Sequence, residues 1–184
     1  MMKVGVFCGN ASPFRPLYQE DAQHLGLLLG LGKIPIFCGG SSDGLMGRFI
    51  QSALDASGKI YAVMTEQEIS LSKGDILPFT DLIVVNSIFS QKIRLFQESD
   101  AFIALPGGIG TFSEVLDLLL EKQVFNVTKP LILLNSTGYW DHFITLLVQM
   151  REEGFIKETD LNFFQIAYSP QEAINFLKKS PTSR

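Results

Sequence analysis

Apolar residues in this chain fall into short, nearly continuous runs: Lys3–Cys8, Ile34–Cys38, Lys59–Met64, Leu82–Asn86, Ala101–Leu105, Leu131–Asn135 and, more weakly, Phe163–Tyr168. Continuous rather than alternating runs predict strands covered on both faces. Between them the spacing turns helical, over Pro16–Leu31, Leu45–Ser57, Ser87–Glu98, Thr111–Phe125, Tyr139–Glu153 and Pro170–Lys179. Pro16 and Pro170 suit a first helical turn, and Gly58 and Gly154 sit where helices should stop. Strand and helix alternating in this way predict an α/β fold. Its form is a three-layer αβα sandwich around a mostly parallel sheet of about seven strands with right-handed crossovers. Pro35 removes a ladder donor from the second run, so a bulge or an edge-like position is expected there. Thr65–Pro78 has mixed polarity and contains Lys73-Gly74-Asp75; it reads as a loop or a short helix near a ligand. With no linker, repeat or low-complexity tract, residues 1–180 are expected to form one domain, with 181–184 as a tail.

The chain's 184 residues are enough for a substantial core, and its hydrophobic fraction of 46% is ordinary for a soluble protein. A net charge of −4 without a basic stripe argues against a nucleic-acid partner, but not against a free nucleotide, which needs only one local anion site. Cys8 and Cys38 each end an apolar run and read as buried thiols; His24 and His142 have no ligand spacing, so no metal site is expected. No apolar run approaches a membrane span, and Met1–Val4 leads into the first strand pattern without a signal-peptide layout, so a cytoplasmic protein is expected.

Ligands of open parallel sheets sit beyond the carboxyl ends of the strands. Glycine-bearing loops fall there after strands one, two and five: Gly9–Pro13, Gly39–Gly47 and Pro106–Thr111. In the last, Gly107, Gly108 and Gly110 allow tight bending and close backbone approach, and Thr111 opens the predicted helix, where its hydroxyl can cap the helix or bind an anion. The free amides of that first turn, with the helix dipole, suit a phosphate. No Gly-Lys-Ser/Thr follows, so the loop is not a Walker A motif, and the first strand carries no G-x-G-x-x-G dinucleotide fingerprint. Glu114 stands three residues after Thr111; spacing alone fits a first-turn acid, half of a capping box with Thr111, or a catalytic group beside the phosphate.

Pro106-Gly107-Gly108-Ile109-Gly110-Thr111-Phe112-Ser113-Glu114 resembles the PGGxGTxxE signature of the LOG (Lonely Guy) family of cytokinin riboside 5′-monophosphate phosphoribohydrolases, long labelled lysine decarboxylases. The resemblance runs along nearly the whole chain. Phe7-Cys8-Gly9 with Pro16, Tyr18, Leu25 and Gly26 match the opening, and Gly39-Gly40 with Gly44-Leu45-Met46-Gly47 match a GGGxxGLMG loop. Ser99–Leu105, Lys129-Pro130, Leu133–Asn135, Gly138-Tyr139, Asp141 and Gly154–Ile156 match further on. It implies a Rossmann-like domain, hydrolysis of a nucleoside 5′-monophosphate to base and ribose 5-phosphate, and no cofactor. It further implies a phosphate and nucleotide site at Gly107, Gly108, Ile109, Gly110, Thr111, Gly9, Asn10, Gly39, Gly40 and Met46. Glu114 would stabilise an oxocarbenium-like transition state or orient water, and Lys92, matching the lysine of an M-H-x-R-K motif, would reach phosphate or Glu114. Dimers whose helices complete the site are implied too, and the Ile88, Phe89, Leu95 and Phe96 stripe of the Ser87–Glu98 helix offers an interface.

The sequence departs from that pattern where it matters. Gln91 stands in place of the catalytic arginine, Ile88 and Phe89 replace the methionine and histidine, and Ser113 replaces a glutamate. Ser41 replaces the third glycine of the second loop, Asn10-Ala11 replace two serines, and the tryptophan before Gln123's match is absent. Glutamine supplies neither charge nor guanidinium fork. Loss of one oriented transition-state donor costs about 10²–10³ in kcat elsewhere. Arg94, three residues on, and Arg48, near the start of the helix after the second loop, are the available replacement cations, Arg94 being equally readable as a solvated surface residue. Two readings therefore stand: an N-glycosidic hydrolase with an altered base pocket, and a nucleotide-binding carrier or sensor with little turnover. A lysine decarboxylase would need a pyridoxal phosphate lysine, for which the chain shows no evident site.

Overall fold

A computed structural model describes residues 1–72 and 75–179; Lys73-Gly74 and the predicted tail Pro181–Arg184 lie outside the described residues. The strands are β1 Val4–Phe7, β2 Ile36–Cys38, β3 Ile60–Thr65, β4 Asp81–Val85, β5 Ala101–Ala104, β6 Leu131–Leu134 and β7 Gln165–Ala167. The helices are α1 Pro16–Leu31, α2 Gly44–Asp55, α3 Glu66–Leu71, α4 Ile88–Glu98, α5 Ile109–Phe125, α6 Asp141–Glu152 and α7 Pro170–Lys179. The strands form one parallel sheet ordered β4-β3-β2-β1-β5-β6-β7. The chain thus winds outward from β1 to β4, then returns to place β5 on the other side of β1. The crevice between the loops after β1 and β5 is the switch point where such sheets bind ligands.

Burial explains why the runs are continuous. Val4, Val6 and Cys8 pack with Leu25, Leu29, Phe49 and Ile50 of α1 and α2 on one face. Phe7 and Phe102 pack with Leu95, Val115, Leu118 and Phe143 of α4, α5 and α6, and with Trp140 at the start of α6, on the other. Alternate residues of a strand thus go to opposite faces, and both are apolar. Helices α1 and α2 cross closely: a Cβ on Gly26 would lie 2.3 Å from the Phe49 carbonyl oxygen. Cys8 and Cys38 are buried free thiols, and burial raises both above the ordinary thiol range. No helix among the described residues is long and apolar enough to cross a membrane.

Pro35 makes neither a bulge nor an edge. β2 is internal and begins one residue later, at Ile36, whose amide donates to the Lys59 carbonyl at 2.9 Å. Pro35 contributes only its carbonyl, which accepts from the Val4 amide at 2.9 Å, so no donor is missed. Pro16 and Pro170 do open helices, and Gly154 ends α6 at φ +79°. At the end of α2 the left-handed residue is Ser57, at φ +58°, rather than Gly58. The Thr65–Pro78 segment contains the short helix α3, held at its start by a reciprocal Thr65–Glu68 capping box.

Candidate functional site

The three glycine loops meet at the carboxyl ends of β1, β2 and β5 around a cavity of about 430 Å³. Gly9 and Asn10 line it from the first loop, Gly39, Gly40 and Ser41 from the second, and Gly108, Ile109, Gly110 and Thr111 from the third. Met46 closes one wall from α2; Gln91 and Lys92 of α4 and Glu114 of α5 complete another. Twelve of the fourteen residues expected at the site from sequence therefore share one cavity.

Helix α5 starts earlier than its sequence suggests. Gly108 is the extended N-cap and its carbonyl accepts the first helical bond, from the Phe112 amide at 3.1 Å. The amides of Ile109, Gly110 and Thr111 are therefore the helix's unpaired donors, and none bonds to another described residue's backbone or side chain. Thr111 is the third helical residue, buried, and does not cap the helix; Glu114 lies in the second turn, so the first-turn and capping-box readings of Glu114 fall away. Gly107 faces a smaller adjoining cavity rather than the main one. A Cβ there would come within 2.1 Å of the Thr111 Oγ1 and 2.8 Å of the Gly9 amide nitrogen, so only glycine fits between the first and third loops. The Tyr139 hydroxyl donates to the Gly107 carbonyl and pins the loop from the far side.

The second loop offers no comparable anion site. Its helix, α2, spends its early amides on the first loop: Leu45 donates to Ala11 at 3.1 Å and Met46 to Gly9 at 2.9 Å. Arg48 is exposed and does not line the cavity. Arg94 is likewise outside: its guanidinium pairs with Glu98 one turn on at 2.9 Å. Neither lines the cavity in place of the missing arginine. Among the described residues lining the cavity, Lys92 is the one cation.

Lys92 is held rather than free. Its ammonium donates to Ser113 Oγ at 3.1 Å, pairs with Asp117, and lies 5.3 Å from the centre of the Phe89 ring. Glu114 is half-buried, and its carboxyl is pushed up to about 8, chiefly by desolvation. Lys92 opposes that rise, whereas Glu68 and Asp117 add to it. The site thus holds a carboxyl that keeps its proton near neutrality beside an oriented ammonium.

Three contributors escaped the sequence reading: Glu68, Asp117 and Tyr139's grip on the loop. Glu68 lines the cavity and accepts from Gln91 Nε2 at 3.1 Å. Its signal was legible, because Thr65 and Glu68 have the T-x-x-E spacing of a capping box. Asp117 had none: its partner Lys92 is 25 residues away on another helix. Gln123, retained from the family pattern, donates to Asp160 at 2.8 Å and does not line the cavity.

A family model described as "possible lysine decarboxylase" matches residues 46–177. The chain is 32% identical over 178 residues to the cytokinin riboside 5′-monophosphate phosphoribohydrolase LOG5 of Arabidopsis thaliana, covering 96% of this chain and 77% of that one. It is 35% identical over 182 residues to the probable cytokinin riboside 5′-monophosphate phosphoribohydrolase LOGL1 of Oryza sativa subsp. japonica, covering 96% and 78%. Among solved structures, the molybdenum cofactor binding protein of Rippkaea orientalis superposes with a TM-score of 0.71 at 24% identity, covering 97% of this chain and 96% of that one. The molybdenum cofactor carrier protein of Chlamydomonas reinhardtii gives 0.71 at 18% identity, covering 97% and 98%. These two share the fold.

Proposed function

Since the chain belongs to the LOG family, the one its matching model describes as possible lysine decarboxylase, we propose that it is a phosphoribohydrolase acting on a purine-like nucleoside 5′-monophosphate. The observation that carries this reading is the α5 N-terminus: the amides of Ile109, Gly110 and Thr111 unpaired at a cavity wall, with Glu114 one turn further in. The 5′-phosphate sits on those amides, where helix dipole and free donors favour an anion. Water adds across the N-glycosidic bond: the bond from C1′ to the base nitrogen breaks, one from C1′ to the water oxygen forms, and the water's protons end on the base and the new hydroxyl. Charge at C1′ becomes positive in the transition state, and the Glu114 carboxylate either balances it or orients the water. Lys92, fixed by Ser113 and Asp117, is placed to favour the ionised form of Glu114.

A specific observation favours the second reading, a nucleotide-binding carrier or sensor. Gln91 brings no charge, and Lys92 alone among the described lining residues is cationic. Incubation with AMP and related monophosphates, following release of free base, separates the two. The expected result is release by the wild-type protein and at least about a hundredfold loss in Glu114→Ala. Saturable nucleotide binding without any base release would overturn the enzyme reading and leave the carrier.

The protein is further proposed to work as a homodimer. Ile88, Phe89 and Ile93 of α4 and Leu116, Leu120 and Val124 of α5 are exposed apolar side chains on helices packed side by side, and Ile88 also lines the cavity.

A further inference from the structure

Polar groups of two kinds line the cavity. The α5 amides are donors suited to an anion. Gln91 and Glu68 line it too, and the orientation of one amide is fixed there.

Gln91 is buried. Its Nε2 donates to the Val63 carbonyl oxygen at 2.7 Å and to Glu68 Oε2 at 3.1 Å. Both partners are acceptors, a backbone carbonyl and a carboxylate, so turning the amide over would set oxygen against oxygen. Glu68 cannot swing aside without loss, because the Thr65 amide and hydroxyl hold the same carboxylate at 2.8 and 2.9 Å. An amide nitrogen has two hydrogens, and here both are committed. The remaining polar atom, Oε1, accepts no hydrogen bond from any described residue.

We infer that Gln91 is a specificity-determining residue whose side-chain carbonyl is a fixed hydrogen-bond acceptor, selecting nucleotides that present an N–H or O–H donor to it. The inference rests on the nucleotide reading of the site and refines it. An arginine at this position would present donors and select the opposite chemistry. Within AMP, whose ring nitrogens carry no hydrogen, the donor is either the exocyclic amine of the base or the ribose 2′-hydroxyl. A site built around a committed polar group discriminates strongly, because an unsuitable ligand leaves that group unpaired.

Calorimetric titration with AMP, IMP, 2′-deoxy-AMP and inorganic phosphate tests this. Wild-type protein is expected to bind AMP about tenfold or more tighter than IMP if the base supplies the donor, or than 2′-deoxy-AMP if the ribose does. Gln91→Arg still offers donors to Val63 and Glu68, so it keeps those contacts while replacing the acceptor; it is expected to erase or invert that preference with phosphate binding retained. Glu68→Ala frees the amide from one of its two partners and is expected to narrow the same ratio. Equal affinity for the three nucleotides, or ratios unmoved in Gln91→Arg, overturns the inference while phosphate binding keeps the anion site standing. Failure of phosphate and every nucleotide to bind overturns both together.

Discussion

Glu114 is the residue on which chemistry and stability meet. Its carboxyl titrates near 4.5 in an unfolded chain and near 8 in the folded one, with burial as the main cause. Between those values the folded state binds more protons than the unfolded state, so this group makes stability fall as pH rises from about 4.5 to 8. Below 4.5 both states are protonated and the effect vanishes. Glu114→Gln, neutral at every pH, removes this slope. Thermal melts at pH 5 and pH 8 should show the variant gaining on the wild type toward pH 8; parallel curves would mean that the cavity does not hold the carboxyl neutral. The same titration sets the direction of the rate. If the carboxylate is the working form, base release rises about tenfold per pH unit up to about 8 and then levels. A rate that falls through 8 would make Glu114 a proton donor to the base instead.

At the scale of elements, the start of α5 separates stability from binding. Gly107 and Gly110 belong to the same loop but differ in their surroundings. A Cβ on Gly107 collides with Thr111 and the Gly9 backbone, whereas one on Gly110 meets nothing within 4 Å. Gly107→Ala is therefore expected to destabilise the fold by about 1–3 kcal/mol, the usual range for overpacking. Gly110→Ala should leave stability unchanged or improve it by up to about 0.5–1 kcal/mol, as an alanine replacing glycine in a helix, while obstructing the anion at the cavity wall. Denaturant melts paired with phosphate titration distinguish the two; a Gly110→Ala protein that binds phosphate normally would remove these amides from the site. Much of this was legible beforehand. The strand runs, the helix order and the three loops follow from continuous apolar stretches and glycine placement, which are local signals. What escaped was the outcome of competition between neighbours. α5 begins two residues before Thr111 because an extended Gly108 caps it through its backbone, needing no side chain. α2 looks like a second anion site in sequence, yet the first loop's carbonyls occupy its amides. Arg94 sits three residues from Gln91 but is drawn to Glu98. Each is decided by which partner is closer in space, and spacing along one helix does not carry that.

Strand order belongs to the molecule as a unit and is not legible from the runs, because a parallel crossover can place the next strand on either side of the last; the return of β5 to the flank of β1 brings Gly9 and Gly108 to one cavity. The same arrangement sets α4 and α5 on one face of the sheet, joined by the Lys92–Asp117 pair. Their inward residues, Leu95, Val115 and Leu118, are buried in the core. Their outward residues are also apolar: Phe89 is 73% exposed, Ile93 54%, Leu120 56% and Val124 56%. A monomer gains nothing from such side chains in water, and contiguous exposed apolar patches mark association sites. The occupant we propose is a second copy, since a self-complementary apolar face would satisfy both chains at once about a two-fold axis. Because Ile88 shares α4 with Gln91 and Lys92, closing that face would also shield the cavity mouth from water. Leu120→Asp combined with Val124→Asp places charges on outward positions of α5, away from the cavity lining. Sedimentation at micromolar concentration is expected to show the wild type as a dimer and the double variant as a folded monomer with a native melting profile. A wild type that sediments as a monomer across that range would mean that these helices face solvent for another reason, and that the cavity is completed by one chain alone.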